Sequence, residues 1–374
     1  MLRTPSPTES VLHVSPKHLG TFMQMPDGSL LDESGKIFHF STDRFLQEIV
    51  LSDSCFLCAA CRSEAEFSDE HVIPNWILKF GGLHQKQMTM INDKQHRYGS
   101  YVVPCCLPCN QALAKLLEDP VSDAFKQGWD GIANFIRENG PLALVSWLAL
   151  LFVKVHLKEK TNRIHADQRL GDATVADKLN WIELHHAYCV ARAGYAKSII
   201  DPAAIGSLFF GPARIDEGRG QFDYVDITEA QAMYFRLGPV FVIHVLNDAS
   251  AAHSVIWEKW LSGHKFAAFS VLQSRELLAH FAYVNLQLKK RPKFRTVLDL
   301  DRWCTKIVVE RSAQIELKRD NKKLLGKLLI RCWRDLVDES RSPTFADLLK
   351  RAKSGNVTTL FRDDGSFNSD VYIH

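Results

Sequence analysis

Apolar residues recur along most of this chain at the three-to-four-residue spacing of helices and shift to the alternation or short runs of strands in a few places. Ser29 to Phe40 (SLLDESGKIFHF) alternates about Glu33-Ser34-Gly35, which predicts a β-hairpin with Phe38 and Phe40 on one face. Thr42 to Leu51 predicts a short helix that turns Phe45 and Ile49 inward, with Leu46 at the margin. Ser122 to Glu138 and Pro141 to Leu157 both carry helical spacing, and Pro141 suits a first turn. Ala173 to Ala193 predicts one or two helices carrying His185-His186. Between 205 and 247 the runs SLFFGPARI, FDYVDI, MYFRL and VFVIHVL, separated by Gly and Pro, predict three or four strands; AQAMY fits a helical turn as well. From Ser250 the helical pattern returns and ends in an amphipathic stretch, Arg311 to Val337. There Leu325, Leu328, Leu329, Cys332 and Leu336 form one stripe. Residues 1 to about 15 carry no such pattern and read as loose.

The chain thus reads as an α+β protein in three parts. A segment with a hairpin and a short helix spans 1–51. A cysteine-rich unit spans 52–119 and is closed by Asp119-Pro120. A larger, mainly helical region, 120–374, holds the β-rich section near 205–247 as a small sheet and a basic stretch, 287–334. With 374 residues, 46% of them apolar, packed cores are within reach. The uncharged apolar run Gly140 to Val153 is too short to span a bilayer and predicts a buried helix rather than a membrane segment. The opening MLRTPSPTESVLHVSP lacks the apolar core of a secretion signal. Six of the nine cysteines crowd between 55 and 109, a distribution that suits metal binding in a reducing, cytoplasmic setting better than a disulfide framework.

Cys55/Cys58 and Cys106/Cys109 are two C-x₂-C pairs, each offering two thiolates at the spacing of a tetrahedral zinc site. Cys61 also stands at that spacing from Cys58, and Cys105 lies beside Cys106, so both remain alternative ligands. Between the pairs stands Glu70-His71. A histidine of near-neutral pKa can take a proton from water, and a carboxylate can hold a hard cation. Neighbouring side chains on a strand face opposite ways, so both address one site only where the strand ends or bends, as Pro74 allows. Asn110, opening a helix over Gln111 to Leu117, offers a neutral oxygen near a helix N-terminus that favours anions.

Taken together, C-x₂-C-x₁₁-E-H-V-I-P-x-W and V-P-C-C-L-P-C-N-Q-A-L-A-K-L-L-E resemble the HNH nucleases of the ββα-metal (His-Me finger) group, zinc-knuckle variety, over about 65 residues. The resemblance implies a zinc-stabilised ββα-metal unit that hydrolyses nucleic-acid phosphodiester bonds, DNA foremost, in a setting such as phage defence or mobile-element biology. It makes His71 the general base, gives Glu70 and Asn110 to one catalytic Mg²⁺ or Mn²⁺ ion, and gives Cys55, Cys58, Cys106 and Cys109 to a structural Zn²⁺ remote from the chemistry. Glu70 stands where aspartate is commoner, and Asn110 where histidine is. The family's middle asparagine falls near Tyr101; the nearest asparagine is Asn92, within a long connection in which Gly82 to Lys94 has the character of an inserted loop. Glu118 matches a glutamate of the subgroup, although a solvated helix-end charge explains it equally well.

Charge qualifies this picture. Cys55 to Asp119 holds six Lys/Arg against seven Asp/Glu, whereas Gln287 to Arg334 holds fifteen against five. A segment so lopsided can neutralise several phosphates. Lys289, Lys290, Arg291, Lys293 and Arg295, with Phe294 among them, are therefore the candidate contacts to nucleic acid, double-stranded DNA in the first place, and the stretch is expected to fold beside the cysteine-rich unit. Arg319, Lys323, Lys327 and Arg331 recur on one helix face, as a solvated face also would. His165, His185, His186, His244 and His280 read as packed or hydrogen-bonded, and Trp257, Trp260, Trp303 and Trp333 as core. The alternative from another class is a catalytically inactive, zinc-stabilised nucleic-acid-binding or interaction module. No pattern in the chain assigns an oligomeric state.

Overall fold

A computed structural model describes residues 22–90, 94–165, 167–215, 220–262, 267–336 and 343–371. The expectations for residues 1 to about 15, for Asn92 and for Val337 lie outside them. The chain is α+β, with small sheets among its helices.

Strands β1 (Met23–Gln24), β2 (Leu30–Leu31) and β3 (Ile37–His39) form an antiparallel sheet in that order. The predicted hairpin is its β2–β3 half. Asp32 makes the turn by accepting from Ser34 N (2.9 Å) and Lys36 N (3.0 Å), while Gly35 supplies a left-handed φ of 81°. Ser41 then caps α1 (Thr42–Phe45), its hydroxyl accepting from Arg44 N at 3.0 Å. The helix continues through a wider turn, Leu46–Val50, with Phe45 and Ile49 buried and Leu46 half-buried.

In the cysteine-rich segment β4 (Glu70–His71) leads to α2 (Asn75–Phe80). A hairpin of β5 (Gln87–Thr89) and β6 (Gln95–Arg97) occupies part of the expected inserted loop. Strand β7 (Val102–Val103) returns antiparallel to β4, and α3 (Leu107–Leu113) follows. The helix expected over Ser122 to Glu138 is two, α4 (Asp119–Lys126) and α5 (Gly128–Asn139), because Gly128 takes a φ of 68° between them. Helix α6 (Leu142–Glu159) is buried on every side from Leu144 to Leu157, as its apolar run predicts. Helices α7 (Val175–Lys178) and α8 (Trp181–Ala196) follow, and α8 packs on α6.

Strand β8 (Ile199–Ile200) precedes the β-rich section, which is a four-stranded antiparallel sheet. Its strands are β9 (Ser207–Pro212), β10 (Phe222–Ile227), β11 (Ala232–Leu237) and β12 (Val240–Val245), in the order β10-β11-β12-β9. AQAMY resolves to strand after a short turn: Gln231 takes a φ of 43°, and β11 starts at Ala232. Every residue of β11 and β12 is buried, which is why the two strands are apolar apart from Arg236 and His244. Helices α9 (Ala251–Ile256) and α10 (Val271–Gln287) pack with this sheet, α10 opening on a Ser270/Gln273 capping box.

The helical pattern expected from Ser250 fails at β13 (Lys293–Asp299) and β14 (Cys304–Glu310), which join β8 in a three-stranded sheet of order β13-β14-β8. The segment K-F-R-T-V alternates exposed and half-buried residues with period two, so strand wins over helix. Helix α11 (Lys322–Trp333) is shorter than Arg311 to Val337. Asn321 caps it by accepting from Leu324 N at 3.1 Å, and Arg319 lies before it. Its stripe is buried from Leu325 to Leu336 as predicted, and α12 (Pro343–Ala352) follows. Of the four tryptophans expected in the core, Trp333 is buried and Trp260 and Trp303 are half-buried. Trp257 is exposed, stacked on His253.

The chain forms two compact units. One comprises the described residues up to Val121, with Leu142–Asp201 and Arg295–Val308. The other comprises Ser122–Pro141, Pro202–Phe294 and the described residues from Val309. The cysteine-rich segment belongs to the first unit because α6 and α8 pack on its helical end and on the N-terminal sheet. No single helix among the described residues is long and apolar enough to cross a membrane.

Candidate functional site

Two turns bring four sulfurs together. In the first, the Cys55 amide donates to Ala60 O (2.9 Å) and the Cys55 carbonyl accepts from Ala59 N (2.8 Å), while Ala59 takes a left-handed φ of 65° that folds the chain back. The second is the corner from β7 into α3, where Asn110 N donates to Cys106 O at 3.0 Å. The Phe56 amide donates to Pro104 O (3.1 Å) and so ties the turns to one another, while a Phe67–Cys106 bridge and a bond from Ser68 N to Cys105 O (3.0 Å) tie the approach to β4 to the second turn. The sulfurs of Cys55, Cys58, Cys106 and Cys109 lie within 4.8 Å of one another, with Cys58 and Cys106 3.7 Å apart. Tetrahedral zinc with bonds of about 2.3 Å separates its sulfurs by about 3.8 Å. The quartet therefore fits a structural metal such as zinc. Cys61 is exposed, and the Cys105 thiol turns to the Cys106 carbonyl, so neither takes a place in it.

The protonation chemistry agrees. Hydrogen bonds from Cys105, Cys109 and Cys58 hold the Cys55 thiol far below the ordinary range, while Cys55, Cys58 and burial push Cys109 far above it. Crowded thiols stabilise a lone thiolate at their neighbours' expense; a dication lets all four ionise. Such a centre is doubly negative, and cations stand near it. The Tyr195 hydroxyl lies 3.7 Å from Cys109 Sγ, Lys36 Nζ is 4.5 Å from the Tyr195 ring centre, and buried Arg192 donates to Leu57 O at 2.8 Å.

Above the quartet, β4 sends Glu70 and His71 to opposite faces, as strand geometry requires. Asp69, with a left-handed φ of 43°, turns the chain into the strand and pairs with Arg62 at 2.9 Å. Glu70 is buried against Lys154 of α6: Lys154 Nζ donates to Glu70 Oε1 (2.7 Å) and to the His71 carbonyl (2.8 Å), and lies 3.7 Å from Glu118. Burial works against the Lys154 ammonium, yet Glu70 and then Glu118 hold its pKa above the ordinary range. Burial pushes Glu118 up to about 7 against the attraction of Lys154. Glu118 is thus no solvated helix-end charge; it is the third member of a buried cluster.

His71 is half-buried, its ring perpendicular to that of His84 at 6.3 Å. Asn110 braces the entrance to β4, its amide nitrogen donating to Ser68 Oγ (2.9 Å) and Asp69 O (3.3 Å), which leaves Oδ1 as the group to meet a cation. None of the hydrogen bonds or ion pairs among the described residues joins Glu70, His71 and Asn110 by their side chains. At the family's middle-asparagine position Tyr101 is buried, and its carbonyl accepts from Val72 N at 2.8 Å. A cleft of about 290 Å³ borders β7, with Arg62, Lys158 and Lys160 against Asp53 and Asp69 on its walls. Burial depresses both lysines, each opposed by one of those aspartates.

The basic residues are less uniform than their sequence suggests. Arg291 closes α10 by donating to Asn285 O (2.8 Å) and Oδ1 (2.7 Å). Lys289 and Lys290 share Glu316 at 3.5 and 3.9 Å, both largely exposed, so solvent screens these pairs. Lys293 and Arg295 lie on the exposed face of β13. On α11, Arg331 pairs with Glu229 at 2.8 Å.

Two groups escaped the reading of the sequence. One is Lys154, the residue that ends the uncharged run of α6; a charge on a helix buried all round demands a buried partner, and that was its signal. The other is His39, His185 and Cys189, whose ligand atoms lie within 4.8 Å of one another. His185 does make the hydrogen bond expected of it, to Phe40 O at 2.8 Å. His244 does likewise to Ile205 O at 2.7 Å, and burial lowers its pKa to about 4. Comparison with protein-family models, curated proteins and solved structures found no match.

Proposed function

We propose that the cysteine-rich segment is a metal-dependent endonuclease unit that hydrolyses nucleic-acid phosphodiester bonds. One observation carries the reading. The β4–β7 hairpin, pinned at its base by the four sulfurs and followed by α3, holds half-buried His71 on the strand and Asn110 against the strand's entrance. In this reading the His71 imidazole takes a proton from water, and the resulting hydroxide attacks phosphorus in line. Asn110 Oδ1 and the Glu70 carboxylate are the oxygens for a hard divalent ion. When bound, that ion supplies charge stabilisation for the pentacoordinate phosphate and the leaving 3′-oxygen. The cationic walls of the cleft beside β7 suit backbone phosphates, and Lys289, Lys290, Lys293 and Arg295 add salt-dependent affinity.

The Glu70–Lys154 pair favours a second reading. An ammonium at 2.7 Å already supplies the positive charge that an ion at Glu70 would bring. A unit that keeps Lys154 there is a zinc-stabilised binding module without catalysis. Nicking of supercoiled plasmid in Mg²⁺ or Mn²⁺ separates the two. The nuclease reading expects metal-dependent nicking by the full-length protein, abolished in His71→Ala and strongly reduced in Asn110→Ala. Nicking unchanged in His71→Ala, or none by the unaltered protein, overturns it.

A further inference from the structure

The first unit holds a second set of soft ligands that the nuclease reading does not use. Helix α8 carries His185 and Cys189 at i and i+4, hence on one face, and β3 brings His39 against them. Cys189 Sγ lies 3.7 Å from His185 Nε2 and 3.9 Å from His39 Nδ1. A tetrahedral ion bonded to sulfur at about 2.3 Å and to nitrogen at about 2.0–2.1 Å sets those atoms about 3.6 Å apart. Both separations are within a few tenths of an ångström of that value, and all three residues are half-buried, sheltered yet reachable.

We propose that His39, His185 and Cys189 form a second metal site, for a zinc-like dication held by two imidazoles and one thiolate. The surroundings fit the ligands. His185 Nδ1 lies 3.4 Å from the Thr42 hydroxyl. Ligation through Nε2 puts the imidazole proton on Nδ1, where Thr42 Oγ1 accepts it and fixes the ring. The Phe40 carbonyl, 2.8 Å from Nε2, borders the place of the ion as a neutral oxygen for the fourth position. Arg192, one turn along α8 from Cys189, does not compete for the thiolate, because it donates to Ile37 O (2.8 Å), Phe38 O (3.4 Å) and Leu57 O (2.8 Å). Binding releases the Cys189 thiol proton to solvent and moves the His185 proton from Nε2 to Nδ1, so the charge balances. The ion would tie the N-terminal sheet to α8, independently of the four-cysteine centre and of any nuclease activity.

Metal content of the full-length protein, saturated with zinc and desalted, tests this. The expected result is two zinc ions per chain, falling to one in both Cys189→Ser and His39→Gln. One ion per chain in the unaltered protein and in both variants overturns the site and leaves Cys189 and His185 as a hydrogen-bonded pair. Cobalt loading of Cys106→Ser, which leaves His39, His185 and Cys189 unaltered, gives a second readout. The bound cobalt should show the charge-transfer absorption of a single thiolate, and it should vanish in Cys106→Ser/Cys189→Ser. Identical spectra for the two proteins overturn the proposal.

Discussion

Replacing Lys154 by methionine isolates the group that most affects the proposed chemistry. Methionine keeps the unbranched length and fills the same volume, so packing changes little while the ammonium is lost. What remains is the Glu70 carboxylate, 9% exposed, facing Glu118 with no cation, and a His71 carbonyl without its donor at 2.8 Å. Removing one partner of a buried pair costs about 3–5 kcal/mol. Glu118 moderates the loss, because two carboxyls so placed share one proton, which sets the expectation near the lower end. For a unit of this size, about 3 kcal/mol lowers Tm by roughly 6–12 °C. The assay is thermal unfolding followed by circular dichroism at neutral pH, with EDTA and again with Mg²⁺ or Mn²⁺. The nuclease reading adds a second expectation: a divalent ion should raise the Tm of Lys154→Met more than that of the unaltered protein, because the freed carboxylates can take it. A loss below about 1 kcal/mol would refute the claim that the pair is buried and structural. Equal metal responses in both proteins would remove Glu70 from the ion's ligands.

Glu118→Gln should change how stability depends on pH. The Glu118 carboxyl rises from 4.5 to about 7 on folding, so its folded form binds the proton more tightly. Its contribution is complete below pH 4.5 and is lost as pH rises through 7, a change of roughly 3 kcal/mol. Denaturant unfolding should therefore show the glutamine variant gaining on the unaltered protein from pH 5 to pH 8; parallel curves would reject the assignment. Cys106→Ser should remove the ion of the four-cysteine centre and destabilise the first unit, whereas Cys61→Ser should leave metal content unchanged. Elemental analysis reads both, and loss of metal in the Cys61 variant would mean that the wrong sulfur was chosen.

What the sequence determined by itself was local. Two C-x₂-C spacings pointed to a metal centre because ligands three positions apart in a tight turn converge whatever surrounds them, but Cys61 and Cys105 left the ligand set open until the fold brought four sulfurs together. The hairpin at Asp32–Gly35, the strands of 205–247 and the stripe from Leu325 to Leu336 followed from turn chemistry and from periods of 2 and 3.6. K-F-R-T-V of β13 carries the period of two of a strand inside a stretch whose wider spacing predicts helix. The tertiary structure alone decided which distant groups meet. Strand geometry said that Glu70 and His71 face opposite ways, but not that Lys154, 84 residues on, waits behind Glu70. Helical spacing put His185 and Cys189 on one face, but His39, 150 residues from Cys189, reaches them only because β3 packs on α8. A residue's own neighbours fix the direction of its side chain; what stands opposite is fixed by packing between segments that no local pattern relates.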